Sequence, residues 1–194
     1  MSFPLVTVPQ WVPNIIKPKI LFITENYPKD PDARTGNTYF YRTLNKEIQI
    51  NGANNLLNNL AKAMQINGAS EFEKLQNFLF RHNYYLIDTL PAGHAFTNEL
   101  VLATKVNQGW LDQVINDITF IDPEQIVFTC IRSNGKLLPE LKRRAIQRGI
   151  SIFNTIVSTH FDKTKQVFNS PSNRAFPGFK KQIQYVIQNG TLKA

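Results

Sequence analysis

The run 19-KILFIT-24 is apolar at nearly every position. A strand with one face in water alternates apolar and polar residues. A continuous apolar run instead fits a strand covered on both faces, the usual state of a parallel strand in an α/β domain. The segments 84-YYLID-88 and 126-IVFTC-130 repeat this pattern, and 165-KQVF-168 reads as a further short strand. The stretch 151-SIFNTIVS-158 fits strand or helix equally well.

The chain between these runs is helical in pattern. A short helix is expected over 38-TYFYRTLNKE-47, with Asn37 at its N-cap. Two more are expected over 53-ANNLLNNLAKAM-64 and 70-SEFEKLQNFLFRHN-83, the second opened by a capping box of Ser70 and Glu73. The segment 97–118 is helical with a break at Gly109, and Asp122-Pro123 turns the chain into the next strand. A basic helix over 137–149 closes at Gly149, and 179–189 is a last helix. Strands alternating with helices predict a three-layer α/β/α sandwich with a mostly parallel central sheet. Residues 1–18, broken by Pro4, Pro9, Pro13 and Pro18, read as an extended N-terminal arm pinned by Trp11, and 19–194 as a single domain.

Composition narrows the function classes. A hydrophobic content of 42% over 194 residues supports a core, and no apolar run approaches the ~20 residues of a membrane helix. The N-terminus lacks the basic and apolar regions of a signal peptide, so an intracellular, cytoplasmic or nucleoid-associated setting is expected. Cys130 is the single cysteine, which excludes an internal disulfide, a cysteine-rich zinc site and a four-cysteine iron–sulfur cluster. His82, His94 and His160 have no metal-ligand spacing, so neither metal nor cofactor is expected. The chain has neither a dinucleotide-binding glycine fingerprint, nor a P-loop, nor a hydrolase nucleophile elbow. A net charge of +8 suits an anionic partner such as DNA, or solubility alone.

In open parallel sheets, ligands bind beyond the carboxyl ends of the strands. Two loops there are rich in polar groups. The first, 25-ENYPKDPDARTGN-37, follows the first strand, and the second, 168-FNSPSNRAFPGF-179, follows the last. Together they resemble the two signature motifs of the uracil-DNA glycosylase superfamily. The segment 20-ILFITENYP-28 is similar to that family's first motif, with Thr24 in the glycine position and Tyr27 added before Pro28. The segment 36-GNTYFYRTL-44 resembles its aromatic helix start, with Phe40 at the base-stacking position. The strand end 86-LIDT-89 puts Asp88 where the family keeps a base-reading Asn, and 168-FNSPSNR-174 resembles the second motif, with Phe168 at its catalytic His. These pieces keep the family's order from residue 19 to 190.

The resemblance implies a DNA glycosylase that flips a damaged or deaminated base into a pocket and hydrolyses its N-glycosidic bond during base excision repair. In that reading Asn26, by position, or Glu25, by acidity, handles the water. Tyr27 and Phe40 stack the base, Asp88 reads its edge, and Ser170, Ser172, Asn173 and Arg174 hold phosphates. Lys142, Arg143 and Arg148 extend the DNA track if they share that edge. The residues also admit plainer roles. Phe40 fits a core position, Glu25 and Asn26 fit partners for loop amides, and Asp88 fits a loop brace. A noncatalytic nucleic-acid-binding homologue, or a nucleobase- or nucleotide-binding protein on the same fold, is the alternative function.

Overall fold

The computed structural model describes residues 8, 11–26, 40–46, 53–90, 110–128, 138–149, 156–158, 180, 181 and 184. At 25, 26, 88–90, 110, 111, 128, 138–142 and 156–158 it is the course of the backbone that is described. The fold is α/β, built on a parallel sheet. Strands β1 (Ile20–Asn26), β2 (Tyr84–Leu90), β3 (Ile126–Phe128) and β4 (Ile156–Ser158) lie in the order β2-β1-β3-β4. Every described strand pair is parallel. β1 therefore lies inside the sheet, and Ile20, Leu21, Phe22 and Ile23, which alternate between its two faces, are all buried, so both faces are covered, as the missing alternation in 19-KILFIT-24 implies. The ambiguous 151–158 stretch resolves at its end as β4, where Ile156 pairs with Ile126.

Helix α1 spans Asn55–Ala63. Asn54 caps it by accepting from the Leu57 N–H, and the Ile66 N–H closes it on the Ala61 carbonyl, with Gln65 left-handed at φ 57°. Helix α2 spans Glu71–Gln76 and runs into a π turn over Asn77–Arg81. The expected capping box forms with one change. Ser70 Oγ accepts from the Glu73 N–H at 3.1 Å, while the Glu73 carboxylate reaches back to the N–H of Ala69, at 2.7 Å. The helix expected over 38–47 is reduced, among the described residues, to a single 3-10 turn at Arg42–Leu44. Tertiary contacts hold this segment in place of helical repetition: Phe40, Tyr41 and Arg42 are all buried.

Helices α3 (Trp110–Ile121) and α4 (Leu138–Gln147) form a pair. Arg144 Nη1 meets Asp112 Oδ2 at 2.9 Å, and Arg148 Nη2 donates to Asn116 Oδ1 at 2.6 Å. Both rungs step by four residues in the same direction, so α3 and α4 run parallel, as successive crossovers of a parallel sheet require. Lys180, Lys181 and Gln184 are helical, in keeping with a last helix. The strand expected at 165–168 lies outside the described residues. From the N-terminal arm, Val8 and Val12 are buried in the core, and Trp11 packs against it partly exposed.

Aromatic rings fill one face of the sheet. Phe78 of the π turn stands 5.7 Å from Phe22, 5.6 Å from Tyr84 and 5.0 Å from Phe40, ring centre to ring centre. On the opposite face of β2, burial and then the Asp117 carboxylate of α3 raise the Tyr85 phenol above its ordinary pKa, so it stays neutral.

β2 ends the described sheet, and Tyr41 closes its open side. The Tyr41 phenol accepts from the Leu86 N–H and donates to the Leu86 carbonyl, both at 2.8 Å, standing in for a neighbouring strand. Tyr41→Phe strips both buried groups of that partner and is expected to lower unfolding free energy by about 2–4 kcal/mol. Among the described residues, the buried Tyr85 hydroxyl has no hydrogen-bond partner. Tyr85→Phe is therefore expected to be neutral or mildly stabilising, and urea unfolding of the two variants side by side checks both.

Candidate functional site

The chain leaves β1 outward to β2 and then returns across β1 to reach β3. The order therefore reverses between β1 and β3, and the crevice that receives ligands in such sheets opens at the carboxyl end of β1. Glu25 and Asn26 are the last two residues of that strand. Asp88 lies beside them: the β1/β2 register pairs Thr24 with Asp88 and Asn26 with Leu90.

Strand alternation separates the candidates. Phe22, Thr24 and Asn26 belong to one face of the sheet, together with their β2 neighbours Leu86, Asp88 and Leu90. Glu25 stands at a position of the other face, as does Thr89. Asn26 and Asp88 therefore share a face and an edge, whereas Glu25 shares only the edge. Thr24, buried where the resemblance has glycine, donates its hydroxyl along the strand seam to the Ile87 carbonyl in a long contact of 3.5 Å.

Phe40 is not an open platform. It is 1% exposed, and its ring meets those of Tyr41 and Phe78 edge-on, both at 5.0 Å. Neither ring face is available for a base to stack on, and the role of Phe40 is core packing. Its carbonyl is held by the Asn54 side-chain amide at 3.1 Å, which ties this segment to the start of α1. Tyr27, Ser170, Ser172, Asn173 and Arg174 lie outside the described residues, as do Phe168, His94 and His160.

Arg143 and Arg148 do not extend a track along this edge. A crossover helix runs antiparallel to the strands, so α4 begins at the carboxyl edge and carries Arg148 toward the amino edge. The C-terminus of α3 marks that amino edge, because the Ile121 carbonyl accepts from the Lys17 N–H just ahead of β1. Arg148 pairs with Asn116 of α3, and Arg143 pairs with Gln147 of its own helix. His82, stacked on Tyr84 with ring centres 5.4 Å apart, also sits at the amino edge. Burial, then Arg81 and Lys19, lower its pKa below the usual imidazole value.

Sequence reading missed a polar cluster under the 40–46 segment. Arg42 is 1% exposed, and its guanidinium meets Glu71 Oε2 at 3.0 Å. Glu71 Oε1 accepts from the Asn54 N–H and from the Asn58 amide, and Lys74 Nζ donates to Asn58 Oδ1 at 2.8 Å. Nothing in local spacing marks these residues, because Arg42 and Glu71 are 29 positions apart. The cluster serves to anchor the chain between β1 and α1.

Among the described residues, no group of three or more His, Cys, Asp or Glu side chains is arranged to hold a metal ion. Likewise, no helix among them is long and apolar enough to cross a membrane. No family model, curated protein or solved structure matches the chain.

Proposed function

We propose that this chain is a DNA-binding protein of uracil-DNA glycosylase type, a three-layer α/β/α sandwich that hydrolyses the N-glycosidic bond of a flipped, damaged base. The observation that carries the reading is the β1/β2 register, in which Asn26 and Asp88 occupy one face at the carboxyl edge. Packing on both faces of the sheet supports the layer arrangement, with Phe22 against Phe78 of the π turn and Tyr85 beside Asp117 of α3. Lys, Arg and a net charge of +8 suit a phosphate backbone.

In this reading Asn26 orients the attacking water through its side-chain amide, and Asp88 meets the edge of the flipped base. With Phe40 committed to the core, stacking falls to Tyr27. The hydroxyls of Ser170 and Ser172, the Asn173 amide and the Arg174 guanidinium hold phosphates on either side of the flipped nucleotide. The leaving base departs as an anion, and hydrogen-bond donors around it lower the barrier. Glu25, on the other face of β1, orders the loop that follows the strand.

The test is incubation of the purified protein with oligonucleotides carrying single uracil, hypoxanthine, xanthine or oxidised bases, followed by cleavage of abasic sites. An abasic product from at least one substrate is expected, with Asn26→Ala slowing its formation by about a hundredfold through loss of water positioning. Phe168, at the position of the family's catalytic His, favours a second reading, a binding homologue without chemistry. That reading gives salt-dependent affinity for DNA and no abasic product from any substrate.

A further inference from the structure

We infer that the amino edge of β1 and β2 is a second contact surface and takes single-stranded nucleic acid, with Lys19 and Arg81 on its phosphates and the Phe80 ring against a base. This surface goes beyond the proposed base excision and does not depend on it. It lies at the edge opposite Asn26 and Asp88, and the length of β1, about 20 Å, separates the two.

The approaches to the two strands are clamped together here. The Asn83 side-chain amide donates to the Lys17 carbonyl at 2.9 Å, and the Asn83 carbonyl accepts from the Lys19 N–H at 2.8 Å. Lys17 and Asn83 are both left-handed, at φ 54°, a conformation that residues other than glycine adopt seldom and at a cost. The clamp brings the Lys19 and Arg81 side chains, both exposed, to one place. Their shared field shows at His82, where burial and then Arg81 and Lys19 lower the pKa. Among the described residues, neither cation is paired with a carboxylate. The acids of this edge lie toward β3, on the other side of β1. Asp122 stands 3.8 Å from Lys17, and the Glu124 N–H donates to the Pro18 carbonyl. The β2 side is left with two cations held close together, an arrangement that an anion relieves.

Charge alone suits any anion, and Phe80 narrows the choice. Its side chain is 60% exposed, while Phe78 and Leu79 of the same turn are buried. The turn itself is firmly held: the Asn77 side-chain amide donates to the Asn67 carbonyl at 2.6 Å, and the His82 N–H donates to the Asn77 carbonyl at 2.9 Å. A large ring kept in water on a fixed turn, next in the chain to Arg81, costs stability unless something covers it. Single strands carry both matching parts, phosphates for the cations and unpaired base faces for the ring, and such stacking tolerates any base. A duplex hides its base faces within the stack and leaves Phe80 without a partner. The net charge of +8 has the sign this occupant requires.

The test uses the full chain, a labelled thymine oligonucleotide and inorganic polyphosphate. Lys19→Gln and Arg81→Gln together are expected to lower oligonucleotide affinity about tenfold or more at low salt. They are also expected to flatten the slope of log affinity against log salt by about 1.4, two phosphate contacts at about 0.7 each. Phe80→Ala is expected to weaken the oligonucleotide about fivefold or more and to leave polyphosphate binding unchanged, because polyphosphate has no bases to stack. The three side chains are exposed, so the melting temperatures are expected to stay in place. Oligonucleotide affinity that is unchanged in either variant overturns the inference and leaves binding at the carboxyl edge standing. Equal loss of polyphosphate and oligonucleotide binding in Phe80→Ala overturns it as well. So does a protein that binds anionic vesicles or polyglutamate but no oligonucleotide, or none of these, at low salt.

Discussion

Phe40→Ala is expected to lower unfolding free energy by about 3–5 kcal/mol, the usual cost of deleting a buried aromatic ring. The side chain is 1% exposed and meets Tyr41 and Phe78 edge-on, so its removal opens a cavity between the 40–46 segment and the π turn. A domain of this size has a net stability of about 5–15 kcal/mol, so the loss is a large fraction of the whole. Urea unfolding followed by tryptophan fluorescence or circular dichroism measures it. The same variant separates two roles for the residue. A base-stacking platform would lose DNA affinity or turnover while the unfolding midpoint stayed in place. A core residue shifts the midpoint, and any functional loss follows from unfolding.

Glu71→Ala is expected to cost about 3–5 kcal/mol as well, for an electrostatic reason. Arg42 is almost wholly buried, and the Glu71 carboxylate 3.0 Å away is one of its partners. Removing one member of a buried ion pair leaves the other charge desolvated, which is far more damaging than replacing both. The same carboxylate also accepts from the Asn54 N–H and the Asn58 amide, so three donors lose one acceptor group together. Thermal melting of Glu71→Ala, Arg42→Met and the double variant checks the argument. The double variant is expected to be more stable than Glu71→Ala alone. A double variant no better than the single one would show that the pair contributes little and that the helix-capping contacts dominate.

These two variants bear on the same part of the chain, the connection from the end of β1 to the start of α1. That connection determines whether the edge holding Asn26 and Asp88 has a firm support. Phe40 ties it to the sheet-facing aromatic cluster, Tyr41 ties it to the outer side of β2, and Arg42 ties it to α2 through Glu71. Tyr41 grips Leu86, which is two residues before Asp88. Loss of any of the three anchors is therefore expected to loosen the β2 end of the candidate site along with the fold.

Much of the architecture was legible because its signals are local. Continuous apolar runs marked β1, β2 and β3, and Ser70 with Glu73 marked the start of α2 within the reach of one turn. The carboxyl-edge location of Glu25, Asn26 and Asp88 followed from strand direction alone. The short helix expected over 38–47 failed for a physical reason that local pattern does not contain. Its apolar and aromatic residues are spaced as on a helix, yet each is drawn to a different partner: Phe40 to the core, Tyr41 to a strand edge and Arg42 to a buried carboxylate. The basic helix α4 was likewise visible as a helix, but the use of its arginines was not. Arg144 and Arg148 fasten it to α3, and that depends on which helix the crossover sets alongside.

What the sequence by itself determined is the kind of object: a parallel α/β sheet with polar residues gathered at the ends of its strands. Apolar periodicity and capping chemistry act over a few residues, and they suffice for that. Only the tertiary structure decided which of those residues stand together. Side chains alternate along a strand, so a register shift of one residue would exchange Asn26 for Glu25 beside Asp88. That register is set by packing between β1 and β2, segments more than sixty residues apart, where Ile20 pairs with Tyr84 and Thr24 with Asp88.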